Sequence, residues 1–324
     1  MLIVQKFGGS SIADGDRLRR AAGICMRQRQ NGNEVVVVVS AMGDTTDLLA
    51  DRARVLGGKP SPREMDALIT TGEQQSAALL VMTMESLGIP AVSLAGWQAG
   101  IYTDCRYGDS DIRLIAPVRI REALSRGRVP VVTGFQGVCA AGDITSLGRG
   151  GSDTTAVALA AALESDCCEI YTDVDGIYTA DPRQIPDAVK LSAIDYRDML
   201  ALAGAGSQVL HAKSVELAMA NSVVIHLLSS FNDAPGSQVR ALRDGSRPDF
   251  AGITRSRTSG EISLAGKAAD AAALSRAVLL LAAEGIEVLS GSVGDGRISV
   301  LVGEAEQPHA MQLLHREMIL GALK

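Results

Sequence analysis

The sequence predicts an α/β protein in which a mostly parallel sheet is covered by helices on both faces, with a smaller α+β unit after it. Three observations carry this. Apolar, β-branched runs recur up to Ser229, and most lack the alternation of a half-solvated sheet, so they read as strands buried on both faces. Helical patterns separate them, which is the signature of parallel strands joined by crossovers. Beyond Ser229 the stretch FNDAPGSQVRALRDGSRPD has no apolar period and reads as a boundary. At about 150 residues per domain, 324 residues suit two domains.

In chain order the predicted strands are Leu2–Phe7, Glu34–Ala41, Ala91–Ala95, Val129–Phe135, Cys167–Val174 and Val223–Ser229. The helical patterns between them are Asp14–Gln30, Glu64–Leu87, Asp111–Arg126, Asp153–Leu163, Tyr196–Ala203 and Gln208–Ala220. Gly32 closes the first helix, and Asp153 is read as the N-cap before TTAVALAAAL. From Phe250 onward a strand (Glu261–Ala265), a helix (Ala268–Glu284), two strands (Glu287–Gly291 and Arg297–Val302, joined through GDG) and a helix from about Pro308 give the order β-α-β-β-α.

Hydrophobic residues make up 47% of the chain and aromatics only 3%, so the core must be aliphatic, while 34 glycines imply tight turns and close backbone approaches. A net charge of −6 provides no global field for nucleic acid or anionic membrane, so any anionic ligand needs a local cationic site. The five cysteines form no CxxC pair, which argues against a disulfide framework or zinc site and for buried thiols in a reducing cytoplasm. Neither a signal sequence nor a membrane span is expected.

Ligands of open parallel sheets bind beyond the carboxyl ends of the strands. There this chain places Lys6-Phe7-Gly8-Gly9-Ser10-Ser11, then Ser40 to Asp47, Gly134 to Gly137, and Thr172 to Gly176. Gly148-Arg149-Gly150-Gly151-Ser152-Asp153 leads into a helix. Glycines let amides approach an anion, a helix start adds partial positive charge, and Lys6 and Arg149 supply full charges, so the loops suit phosphate or carboxylate. There is no GxxxxGK[ST], GxGxxG, HRD, DFG or HExxH, and the four histidines are scattered. The tract Tyr171 to Tyr178 is either a simple strand and turn or a nucleotide seat.

The succession KFGGSS, VSAMGDTTD, TTGE, QAGIYTD, GFQG, LGRGGSDTTA and YTDVDGIYTADPR resembles the aspartate kinases over about residues 1–235. The resemblance implies the amino-acid kinase fold, an αβα sandwich on a mostly parallel sheet, for residues 1–235. It further implies a linker at 236–249 and a single ACT-like (ferredoxin-like) regulatory or dimerisation unit at 250–324. The implied reaction is MgATP-dependent phosphorylation of L-aspartate to 4-phospho-L-aspartate, the entry to lysine, threonine and methionine synthesis. Lys6 and Asp153 would be catalytic, Asp153 as an electrostatic organiser and not a base. Ser40, Thr45, Glu73, Arg149, Gly150 and Ser152 would bind aspartate, Glu73 meeting the ammonium and Arg149 the α-carboxylate. Lys6, Gly8, Gly9, Ser10, Thr172, Asp173, Tyr178 and Arg183 would hold the nucleotide; the magnesium ligands are not assigned.

Two departures stand out: Gln208 where relatives often have lysine, and an acidic Tyr107–Asp111 segment. Relatives commonly carry two ACT-type units, so a single one with an open edge is expected to pair with a second copy as a homodimer and to respond weakly to lysine or threonine. The competing readings are a kinase of the same fold acting on another small acid and a homologue that binds ligands without turnover.

Overall fold

The computed structural model describes residues 1–322. They form two compact units, one of Met1–Asp175 with Ala220–Pro235, the other of Gly176–Met219 with the chain from Gly236 onward. The elements are β1 (Leu2–Phe7), α1 (Gly15–Gln30), β2 (Glu34–Val39), α2 (Thr45–Val55), α3 (Pro62–Ile69), α4 (Thr71–Ser86) and β3 (Ala91–Leu94). Next come β4 (Ile101–Thr103), β5 (Ile112–Ile115), α5 (Val118–Ser125), β6 (Val129–Thr133), β7 (Gln136–Cys139), β8 (Ile144–Ser146), α6 (Gly151–Leu163) and β9 (Cys167–Thr172). There follow β10 (Ile177–Tyr178), β11 (Lys190–Leu191), β12 (Ala193–Ile194), α7 (Tyr196–Gly204), α8 (Ala212–Asn221), β13 (Ile225–Ser229) and β14 (Ser237–Val239). The last are β15 (Gly252–Arg255), β16 (Glu261–Ala265), α9 (Ala271–Ala283), β17 (Val288–Gly294), β18 (Arg297–Val302) and α10 (Gln307–Leu314).

In the first unit the strands run β13-β9-β1-β2-β6-β3, every pair parallel. The valine run of β2 is buried on both faces because helices cover both. On one face Phe7, Val35, Val37 and Val39 pack with Leu18 and Ile24 of α1 and Leu80 and Met84 of α4. On the other lies α6, apolar almost all round and buried nearly throughout. The expected mostly parallel, two-faced sheet is therefore what forms.

A second sheet of the first unit, β5-β4-β7-β8, was not legible in the sequence. The predicted helix Asp111–Arg126 is instead β5 followed by α5, because Ile112 to Ile115 favour an extended chain and Pro117 holds Ala116 out of the helical region. The predicted helix Glu64–Leu87 is two helices meeting at Thr70, whose Oγ1 donates to the Asp66 carbonyl at 2.7 Å. The N-cap of α6 is Gly150 in the left-handed region (φ 69°), and Asp153 sits in the first turn, so the N-cap reading of Asp153 is corrected.

In the second unit an antiparallel sheet, β15-β16-β18-β17, packs with α9 and α10 around Ile253, Ile262, Leu264, Leu281, Ile298 and Leu314. The predicted β-α-β-β-α order holds, with β15 added in front. Within the stretch read as a linker, Ser237–Val239 forms a strand parallel to β12. The helix expected from Gln208 begins at Ala212.

Candidate active site

Lys6 is the penultimate residue of β1, the central strand of the first unit, between Val38 and Ile170 of its neighbours, and it is buried. Its side chain points to the α6 face, where Nζ lies 2.7 Å from Asp153 Oδ1. The backbone then continues through Gly8, whose N–H donates to the Tyr171 carbonyl at 3.1 Å. A Cβ at Gly8 would sit 3.6 Å from Lys6 Nζ, so the residue lies beside the lysine. Gly9 and Ser10 open a short 3-10 turn, where leading N–H groups have no acceptor within the helix. Gly9 is required sterically, because a Cβ there would sit 2.6 Å from the Ala41 carbonyl oxygen.

The loop after β2 is tied to this one. Ser40 N–H donates to the Phe7 carbonyl and Gly43 N–H to the Gly9 carbonyl, both at 3.1 Å. Thr45 opens α2 and donates from Oγ1 to the Met42 carbonyl at 2.6 Å. Glu73, in the first turn of α4, is only 3% exposed. Its Oε1 accepts the Ala41 N–H at 3.0 Å, whereas Oε2 is buried with no hydrogen-bond partner among the described residues. Burial pushes its pKa up to about 7, against the lowering effect of its own N–H and that of Ala41. A buried carboxylate oxygen left without a donor is costly, and a cationic ligand would satisfy it.

The loop before α6 turns through Gly148 and Gly150, both at positive φ. Between them Arg149 is exposed and has no ion-pair partner among the described residues. Ser152 is buried beside Gly134, where a Cβ would sit 2.7 Å from Ser152 Oγ. Sequence reasoning missed what supports this loop. Asp66 of α3, 1% exposed, accepts from Ser146 N–H (2.9 Å), Ser146 Oγ (2.7 Å) and Gly108 N–H (2.9 Å), fixing the strand end that leads to Arg149. Thr133 Oγ1 and Gln136 Oε1, at the end of β6 and the start of β7, are buried polar atoms without partners among the described residues. The signal available was their place after an apolar strand, where a polar residue is unneeded for the core.

Thr172 ends β9; its Oγ1 donates to Asp173 Oδ1 at 3.1 Å and its carbonyl accepts from Ser230 N–H and Oγ, both at 2.9 Å. Asp173 is exposed. Tyr178 and Arg183 belong to the second unit, Tyr178 in the β10–β11 ribbon and Arg183 paired with Asp181 at 2.9 Å. Gln208 is exposed. The first unit, then, carries Lys6, Gly9, Ser10, Ser40, Arg149, Gly150, Thr172 and Asp173 on strand ends and loops, and Thr45, Glu73, Ser152 and Asp153 in the first turns of α2, α4 and α6.

Among the described residues no group of three or more His, Cys, Asp or Glu is arranged to hold a metal ion. Magnesium keeps much of its water and takes one or two carboxylates plus phosphate oxygens, so the single buried carboxylate of Asp153, beside Lys6, fits it without such a cluster. Two cations, a buried carboxylate oxygen and turn amides have charges complementary to a zwitterionic acid and to phosphates.

The model of the family described as "Amino acid kinase family" matches residues 1–229. The aspartokinase of Mycolicibacterium smegmatis is 49% identical over 82% of this chain and 64% of its own length, so the alignment spans under two thirds of that relative. The aspartokinase of Corynebacterium efficiens is 44% identical over 97% of this chain and 77% of its own. Among solved structures, Escherichia coli aspartokinase III in complex with aspartate and ADP superposes with a TM-score of 0.85 at 20% identity, covering 98% of this chain and all of that one, a likeness of fold.

Proposed function

We propose that this chain, which belongs to the amino acid kinase family, transfers the γ-phosphoryl group of ATP to the β-carboxylate of L-aspartate. The observation that carries the reading is that Glu73 Oε2, without a hydrogen-bond partner among the described residues, shares a unit with Arg149, without an ion-pair partner among them, and with the Lys6–Asp153 pair. An α-amino acid presents an ammonium and a carboxylate to such groups, and its second carboxylate can face the phosphate. Relatives named aspartokinase, among them one 49% identical over 82% of this chain, support the choice of aspartate.

The acceptor carboxylate, with a pKa of about 3.9, is ionised at neutral pH, so no general base is required. The difficulty is bringing two anions together and stabilising charge on the migrating group. Lys6 supplies a cation held in place by Asp153, and the amides at Gly9 and Ser10 supply donors. Arg149 matches the α-carboxylate with two parallel N–H groups, and Glu73 takes the ammonium. Magnesium would neutralise phosphate charge, with Asp153 the residue to hold it. Thr172, Asp173, Tyr178 and Arg183 are assigned to the nucleotide on the motif they share with relatives. A cytoplasmic homodimer completes the proposal: the five cysteines are free, and β17 pairs only with β18 among the described residues.

ADP release measured against a panel of amino and dicarboxylic acids, with ATP and magnesium, tests the substrate. The reading expects turnover with L-aspartate above all others; preference for a different acid overturns it.

A further inference from the structure

Cys139 ends β7 in the small sheet of the first unit, and Cys105 lies in the loop that leaves the neighbouring strand β4. Parallel pairing of β4 with β7 puts Thr103 opposite Cys139, and Cys105 follows two residues later in the loop to β5. The two thiols are near enough to influence one another's charge, and both do the same to the Tyr107 hydroxyl. Cys105 is exposed and Cys139 is buried at the end of β7. Both backbones are held: Cys139 N–H donates to the Asp143 carbonyl at 3.0 Å, and Tyr107 Oη donates to Asp143 Oδ2 at 2.9 Å, clasping the Cys105 loop to the β7–β8 hairpin.

We infer that Cys105 and Cys139 form a peroxide-sensitive dithiol that closes to a disulfide within the chain. Cys105, as thiolate, attacks the O–O bond of hydrogen peroxide, forming a sulfenic acid and releasing hydroxide, which takes up the thiol proton as water. The Cys139 sulfur then displaces the sulfenic oxygen as a second water, so two thiols and one peroxide give one disulfide and two waters. Burial pushes Cys25 up to about 12 and Cys167 to about 11 and raises Cys168 and Cys139 as well, so the exposed Cys105 is the attacking thiol and Cys139, its neighbour, the one that resolves the sulfenic acid. The cross-link would brace the loop whose Asp109 abuts Gly148 and whose Ser110 N–H donates to the Ser146 carbonyl at 2.8 Å, next to Arg149. That last consequence rests on the proposed function; the disulfide does not.

The test treats the reduced full chain with hydrogen peroxide, alkylates the remaining thiols and maps the peptides. The inference expects a linked Cys105–Cys139 peptide pair, loss of two alkylatable thiols, and recovery with dithiothreitol. Cys105→Ser, at an exposed position, should leave Cys139 alkylatable after the same treatment. A sulfinic Cys105 beside an unmodified Cys139, or linkage of either to another cysteine or another chain, overturns it. The KM for L-aspartate should change on oxidation in the native sequence and not in Cys105→Ser. A disulfide with unchanged KM removes the link to Arg149, and a disulfide in a chain inactive in both states removes the kinase reading alone.

Discussion

Lys6 Nζ lies 2.7 Å from Asp153 Oδ1, joining the end of the central strand to the first turn of the helix behind it. Both side chains are about one-tenth exposed, so each charge depends on the other. Removing one partner of a buried pair leaves the other uncompensated, at a cost of about 3–5 kcal/mol. Lys6→Met should therefore lower the thermal midpoint as well as abolish turnover, and Lys6→Met with Asp153→Asn should recover much of the stability and none of the activity. Calorimetry beside initial rates separates the two; recovered activity in the double variant would remove Lys6 from the chemistry.

Glu73 should make the ligand-free protein pH-sensitive. Folding raises this carboxyl from 4.5 to about 7, so between those values the folded chain holds more protons than the unfolded one. Stability then falls as pH rises through this window and levels off above it. Glu73→Gln should flatten that segment and be more stable at pH 8 by up to about 3 kcal/mol. The same variant should raise the KM for aspartate roughly 100-fold, since the ammonium loses its counter-charge. Denaturant titrations from pH 4 to 9, with parallel kinetics, check both; an unaltered pH–stability curve would contradict the assignment.

Arg149 should act on binding with little effect on folding, because it is exposed and has no ion-pair partner among the described residues. Arg149→Lys keeps the charge and loses the planar fork, so KM for aspartate should rise about tenfold or more while the thermal midpoint stays within error. A stability loss without a change in KM would assign it a structural role.

Gly9→Ala should disrupt two loops at once. Its Cβ would meet the Ala41 carbonyl oxygen at 2.6 Å, a backbone atom that cannot rotate away. Overpacking of this kind costs about 1–3 kcal/mol. Since Ala41 N–H also anchors Glu73, the activity loss should exceed what the melting shift alone implies. Wild-type kinetics in a folded Gly9→Ala protein would refute this coupling.

What the sequence made legible follows from local physics. The valine run at β2 and the Ala-rich α6 reveal their burial because both are apolar without a solvent face, and charged Lys6 stands out at the end of such a strand. The β5-β4-β7-β8 sheet escaped notice because strands of three or four residues carry little periodicity and are held by partners distant in sequence. Asp66 was hidden for a related reason: its three hydrogen bonds run to residues 42 and 80 positions away, and nothing in MDALI marks the carboxylate as buried. Glu73 was legible only through its motif. That one of its oxygens lacks a partner is a property of the fold.

The most direct test is hydroxylamine trapping with ATP, magnesium and L-aspartate, because an acyl phosphate is the product that this site and no hydroxyl kinase would make. The account predicts aspartyl hydroxamate in proportion to ADP from the native sequence, and none from Lys6→Met. ADP formation without hydroxamate, or no product from a folded protein saturated with both substrates, would contradict it.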